Sequence, residues 1–413
     1  MRRIGLASLA VLGLLWSVAP AQAAQEVTAD GVTHVKNGDK PSQGTTTLKL
    51  EKLWSAGGEE GTDLFGLITQ AVVDEAGNVY LLDTQLAEVR VFSPTGEPLK
   101  TLSREGEGPG EVRLPTDLFF LPDGRLGLVQ AFPGKIIVVD RSGNPGETIS
   151  VGGSDPTQGG FVVLLDGSSA GENLVLAGIL ISTQQTPPGQ DRTSFLGRYS
   201  LAGLEQVRFL EQKTHLDFQN IKIVEKDQYF VYPRRWALGS GGRVYAAPFR
   251  DRYAIHVYGA DGKLERVIER AYEPRPRTEK EMARIEALVA AQTRQIPGEV
   301  KTELEKTEPA VSSLHMRDDG ELWVVSSRST HQQPAGIMLT YDVFDPQGNF
   351  TRQVAVACEG DGTEDGLFFA GPGRMLLVKG LVDAAATMQG ASPELAEGEE
   401  PAPMEVVLYR VAG

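Results

Sequence analysis

The chain has 413 residues, 41% hydrophobic and 23% charged, with a formal net charge of −15. That balance belongs to an ordinary globular protein, long enough for one large β domain or two smaller ones. Its acidity argues against nucleic acid, whose phosphates require clustered Lys and Arg. The single cysteine, Cys358, excludes an intramolecular disulfide, so packing and sheet closure must hold the fold.

In chain order, Arg2 and Arg3 precede the apolar run Ile4 to Val18, followed by Pro20 and Ala21-Gln22-Ala23. A basic start, an apolar centre and small residues at the end predict a secretory signal peptide over residues 1–23. The apolar run is too short and wrongly flanked for a stable membrane span, and no cysteine near residue 23 offers a lipoprotein anchor. A periplasmic or secreted protein, not an integral membrane protein, is the expectation. Residues 24–45 are polar and poor in apolar residues, and are expected to be a disordered lead-in. Thr46 to Trp54 (TTLKLEKLW) then reads as a strand.

The segment from Ile68 to Gly96 sets a pattern of apolar strands separated by Gly-containing turns. Its first turn, Glu75-Ala76-Gly77-Asn78, recurs at Pro122-Asp123-Gly124-Arg125, Ser240-Gly241-Gly242-Arg243, Asp318-Asp319-Gly320-Glu321 and Gly371-Pro372-Gly373-Arg374, with a weaker copy near Gly171. A second turn recurs at Gly96, Gly143, Gly203, Gly262 and Gly348. The intervals Gly77 to Gly96, Gly124 to Gly143 and Gly242 to Gly262 are nearly equal, which marks one supersecondary unit used repeatedly. These copies predict an all-β, six-bladed β-propeller over residues 46–413, since each blade can bury its faces only against its neighbours. The final strand, Val406 to Tyr409, ends where another should begin, and Thr46 to Trp54 is expected to lie beside it and close the last blade.

Gly106-Glu107-Gly108-Pro109-Gly110-Glu111 with Leu114-Pro115 resembles the linker between NHL repeats, and VYLLDTQLAEVRVFSPTGE resembles the repeat itself. From Thr46 onward the chain is similar to exported bacterial six-bladed propeller proteins of uncharacterised function. Propellers of this kind include scaffolds, ligand-binding proteins, lyases and lactone hydrolases, so the resemblance implies a fold and leaves activity open.

Long segments interrupt the repeat at Ser182 to Ser194, Ser327 to Gly336 and Val382 to Met404, each between a second and a third strand, and at Glu273 to Pro309, between blades four and five. In a propeller all of these decorate one face, which is the expected functional face. Residues 273–309 hold the convincing helix, opened by the capping box Thr278-Glu279-Lys280-Glu281, striped by Met282, Ile285, Leu288 and Val289, and ended by Pro297. Residues 382–404, rich in Ala, Gly, Pro and Glu, read as an acidic low-complexity loop.

Familiar chemistry is scarce. Gly167-Ser168-Ser169-Ala170-Gly171 matches a nucleophile pattern by letter but opens a β turn instead of a strand-to-helix elbow. The histidines His34, His215, His256, His315 and His331 never occur at metal-ligand spacing. The candidate binding residues are a basic and aromatic set predicted on the decorated face: Arg234, Arg235, Trp236, Arg250, Arg252, Tyr253, Arg328 and His331. Arg beside aromatics suits a small anionic ligand or an acidic patch on a protein partner. A monomeric, non-catalytic binding protein without cofactor is the leading expectation. The rival is a lactonase-like lyase or hydrolase with a divalent metal in the channel, for which Asp117 is the clearest inward carboxylate.

Overall fold

The computed structural model describes residues 24–59, 61–152, 160–231, 234–294, 296, 298–390 and 402–411. The expected signal peptide, Pro297 and residues 391–401 of the acidic loop lie outside that set. Among the described residues the chain is mostly β, arranged as successive antiparallel meanders in which strands follow one another in sequence order.

The first meander (residues 68–102) has strands Ile68–Val73, Val79–Asp83, Glu88–Phe92 and Pro98–Leu102, and the second (115–150) repeats the plan. The repeat is chemical as well as geometric. Asp74 accepts from the backbone and side-chain N–H groups of Asn78, and the same pair recurs as Asp140 with Asn144 and Asp345 with Asn349. Each clamps a turn whose glycine, Gly77, Gly143 or Gly348, needs positive φ.

The third meander (160–217) departs from expectation. The segment Ser182 to Ser194 is no loop: strands Asn173–Gln185 and Pro188–Ser200 run on as one long hairpin, because continued pairing satisfies backbone groups that a loop would leave to water. The fourth (236–270) and fifth (311–357) meanders flank the helix Glu279–Thr293. Its capping box is formed, with Glu281 N–H donating to Thr278 Oγ1 and Thr278 N–H donating to Glu281 Oε2. Met282, Ile285, Leu288 and Val289 make its half-buried side. The same insertion also holds strand Lys301–Glu303, paired in parallel with Lys222–Val224. In the sixth meander the expected acidic loop begins as a helix, Leu381–Met388.

Apolar clusters join each meander to the next. Leu82 packs with Leu128 and Val139 between the first and second, and Val129 with Leu164 and Phe195 between the second and third. Val175 meets Trp236 and Val244, Ile268 meets Val311 and Phe344, and Val356 meets Met375. The cluster of Leu376, Leu408, Ile68 and Phe92 joins the sixth meander back to the first. The core is therefore a circuit of inter-sheet layers.

The N-terminal residues 24–45 require a correction. They form strands Gln25–Ala29 and Val32–Asn37, the second lying parallel to Leu264–Arg270 on the outer edge of the fourth meander. Asn37 explains the order: it is buried, donates to the carbonyls of Glu269 and Gly348, and accepts from Phe350 N–H, so it stitches the fourth meander to the fifth. The next strand, Thr45–Gly57, pairs first in parallel with Phe350–Ala357 and then antiparallel with Glu405–Val411. One strap thus crosses three successive sheet edges. Edge hydrogen-bonding groups, invisible in local hydrophobicity, order a segment whose composition alone would leave it loose.

Candidate functional site

The predicted binding residues do not form one cluster. Arg250 is buried and fully engaged, donating to Glu225 at 2.7 Å, Asp251 at 3.0 Å and the Thr307 carbonyl at 2.6 Å. Burial opposes ionisation of Glu225, yet Arg277, the Glu305 N–H and Arg250 outweigh it and hold this carboxyl at about 2. Tyr253 is also core: its hydroxyl donates to Asp342 at 2.9 Å, a buried carboxylate shared with Arg270 and Gln353. Arg328 donates to the Glu273 carbonyl. His331 sits with Glu281, Glu308 and Arg275 beside the helix cap. Arg235 stacks on Tyr229 at 3.9 Å and donates to its carbonyl, and Arg252 stacks on Phe249 at 3.6 Å. The expected set was drawn from loops close in sequence. Arg250 and Arg252 stay together at one cavity, whereas Arg234, Arg328 and His331 lie elsewhere.

Arg234 and Trp236 reach a different place, a central funnel of about 290 Å³ lined from every meander. Gln70, Asp117, Asp166 and Ser313 point there for a shared reason. Each directly follows a β-bulge in the first strand of its meander, the extra residues being Thr69, Thr116, Leu165 and Ser312. A bulge re-aims the next side chain, and here it turns a polar group inward in four strands. Three of these residues could have been found by eye, since Gln70, Asp117 and Ser313 stand at one interval ahead of the turn glycines Gly77, Gly124 and Gly320.

A hydrogen-bonded circuit links them. Gln70 Nε2 donates to Asp117 Oδ1 at 2.8 Å, Gly167 N–H to Asp117 Oδ2 at 3.0 Å, and Arg234 N–H to Asp166 Oδ2 at 3.0 Å. Leu314 N–H donates to the Arg234 carbonyl at 2.8 Å. The Arg234 guanidinium then crosses the funnel, donating to the Thr69 carbonyl and lying over Phe368 at 4.0 Å. Arg234 takes φ of +69°, a strained conformation for a residue with a side chain and one often retained at functional positions.

The electrostatics are equally specific. Burial, and next the neighbouring Asp117 carboxylate, push Asp166 well above the ordinary carboxylate range, which favours its protonated form. Burial, reinforced by Arg317 and Arg234, drives His315 down to about 3, leaving a neutral imidazole stacked on Phe369 with centroids 3.6 Å apart. Trp236 Nε1 is buried and has no hydrogen-bond partner among the described residues.

A divalent metal fits this funnel poorly. Both Asp117 oxygens already accept N–H groups, burial disfavours the charged form of Asp166 that a cation needs, and the Arg234 cation stands beside them. Among the described residues, the group with metal-like spacing is Glu281, Glu308 and His331, and Arg275 stands within it as its counter-cation. Cys358 is half-buried beside Met338, and burial raises its thiol, as befits an unreactive cysteine.

No family model and no curated protein matches the chain. Solved structures resemble it at low identity. Regucalcin from Agrobacterium tumefaciens, a calcium-binding protein, is 11% identical, with 89% of this chain and 97% of that one covered and a TM-score of 0.41. A luciferin-regenerating enzyme is 11% identical (86% and 95% covered, TM-score 0.43). A Bacteroides fragilis protein described as exported is 10% identical (92% and 100% covered, TM-score 0.43). Likeness at this level carries no activity across, and the propeller-like reading rests on this chain's own strand order and circuit of clusters. No helix among the described residues is long and apolar enough to cross a membrane.

Proposed function

We propose that the chain is an exported six-bladed β-propeller, related to the NHL type, with its helical insertion between blades four and five, and that its central funnel binds a small ligand bearing a carboxylate. The observation that carries this reading is the placement of Arg234: a guanidinium on a strained backbone, crossing the funnel over Phe368 beside the Asp117 and Asp166 carboxyl groups. A carboxylate would accept from the guanidinium, and the apolar faces of Phe368 and Phe369 would cover its carbon skeleton. Binding without turnover is the leading function, and the basic start of the chain followed by an apolar run supports export.

One observation favours a second reading. Asp117 and Asp166 are neighbouring carboxyl groups, and burial raises Asp166 toward its protonated form, as a general acid requires. Such a lyase or hydrolase would work without a metal in the funnel. A panel of small mono- and dicarboxylates, screened by thermal shift with Arg234→Gln in parallel, tests the proposal. Native protein should be stabilised by a subset that leaves Arg234→Gln unmoved; equal stabilisation of both would remove the funnel as the site. Turnover of a stabilising ligand that is lost in Asp166→Asn would select the second reading.

A further inference from the structure

A larger cavity of about 570 Å³ lies between the third and fourth meanders, away from the funnel. The turn that breaks the repeat, Glu225–Gln228 and Tyr229–Val231, forms one wall. Its lining is aromatic: Tyr229, Phe230, Phe249 and Tyr258, with His256 edge-on to Phe249 at a centroid distance of 5.4 Å. Burial, then Arg252, lowers His256, so this ring is neutral. Charge inside the cavity is mostly internally matched. Lys226 pairs with Asp251 at 3.0 Å, Arg250 with Glu225, and Glu211 with Lys213.

Arg252 is the exception. Its exposed guanidinium meets no carboxylate among the described residues and lies over the Phe249 ring, its carbon 3.6 Å from the centroid. An exposed cation held over one ring of an aromatic box is arranged for a flat ring that ends in an anion. Asp227, also lining the cavity, disfavours a second negative charge on the same ligand.

We propose that this side cleft is a second binding site, independent of the funnel, for an aromatic monocarboxylate whose ring inserts against Phe249 and Tyr258 and whose carboxylate pairs with Arg252. Calorimetric titration with 2-naphthoate and its uncharged counterpart 2-naphthylmethanol tests it. Native protein should bind the acid about tenfold more tightly than the alcohol, the difference expected of one charge-assisted hydrogen-bonded pair. Arg252→Gln should erase that difference and leave the alcohol's affinity unchanged, and Phe249→Leu should weaken both. Arg234→Gln should retain the native preference, which separates this site from the funnel. Equal affinity for acid and alcohol, no binding of either, or naphthoate affinity that survives Arg252→Gln but falls in Arg234→Gln would each overturn the proposal.

Discussion

The funnel and the side cleft use arginine in opposite ways. Arg234 is tied into a circuit that spans the first strands of the meanders, so its charge serves the fold and the site together. The Arg252 guanidinium rests on one aromatic ring and meets no carboxylate among the described residues. The funnel is built from repeated positions, one bulge after another, whereas one wall of the cleft is a turn that breaks the repeat. Repetition yields a shared, load-carrying centre, and irregularity leaves side chains free to be spent on recognition.

Substitution should separate the two most sharply at their arginines. Arg234→Ala leaves the Asp117 and Asp166 pair without its cation and the Thr69 carbonyl without its donor, and should cost about 3 kcal/mol in chemical denaturation. A loss below about 1 kcal/mol would mean that the circuit carries no load.

The pH dependence should come next in size, with the funnel groups acting in opposite directions. The folded pKa of Asp166 lies above its ordinary value of 3.8, so its contribution is complete below 3.8 and is lost as pH rises through the folded value. His315 falls from 6.5 to about 3 on folding, so its contribution is complete above 6.5 and is lost as pH drops towards 3. Thermal midpoints across this range should therefore show Asp166→Asn removing decline on the alkaline side, at little cost at neutral pH because an amide can imitate the protonated acid. His315→Gln should flatten the acid side. Unchanged profiles in both variants would place the titrating groups elsewhere.

The smallest effect should be at the cleft. Arg252→Ala forfeits an exposed contact with one ring and should change stability by no more than about 1 kcal/mol, read from the same denaturation curves. A larger loss would make Arg252 a structural residue and blur the contrast.

Turn chemistry and strand alternation are local, and the chain states them openly. Asp74 to Asn78 reads as a turn, Thr278 to Glu281 as a helix start, and Thr46 to Trp54 as a strand with apolar alternation. The sequence by itself therefore determined the strands, their turns and the repeating unit, because each depends on residues within one hairpin or one helical turn. Tertiary structure alone decided what those units bring together. The order of residues 25–37 depends on an edge offered by strands more than two hundred positions away, and the separation of Arg234, in the funnel, from Arg250 and Arg252, at the side cleft, depends on which strands of the fourth meander each adjoins. The direction of Gln70, Asp117, Asp166 and Ser313 depends on bulges set by the register of a neighbouring strand. Pairing across sheets and burial between them are long-range quantities, and no stretch of chain carries them alone.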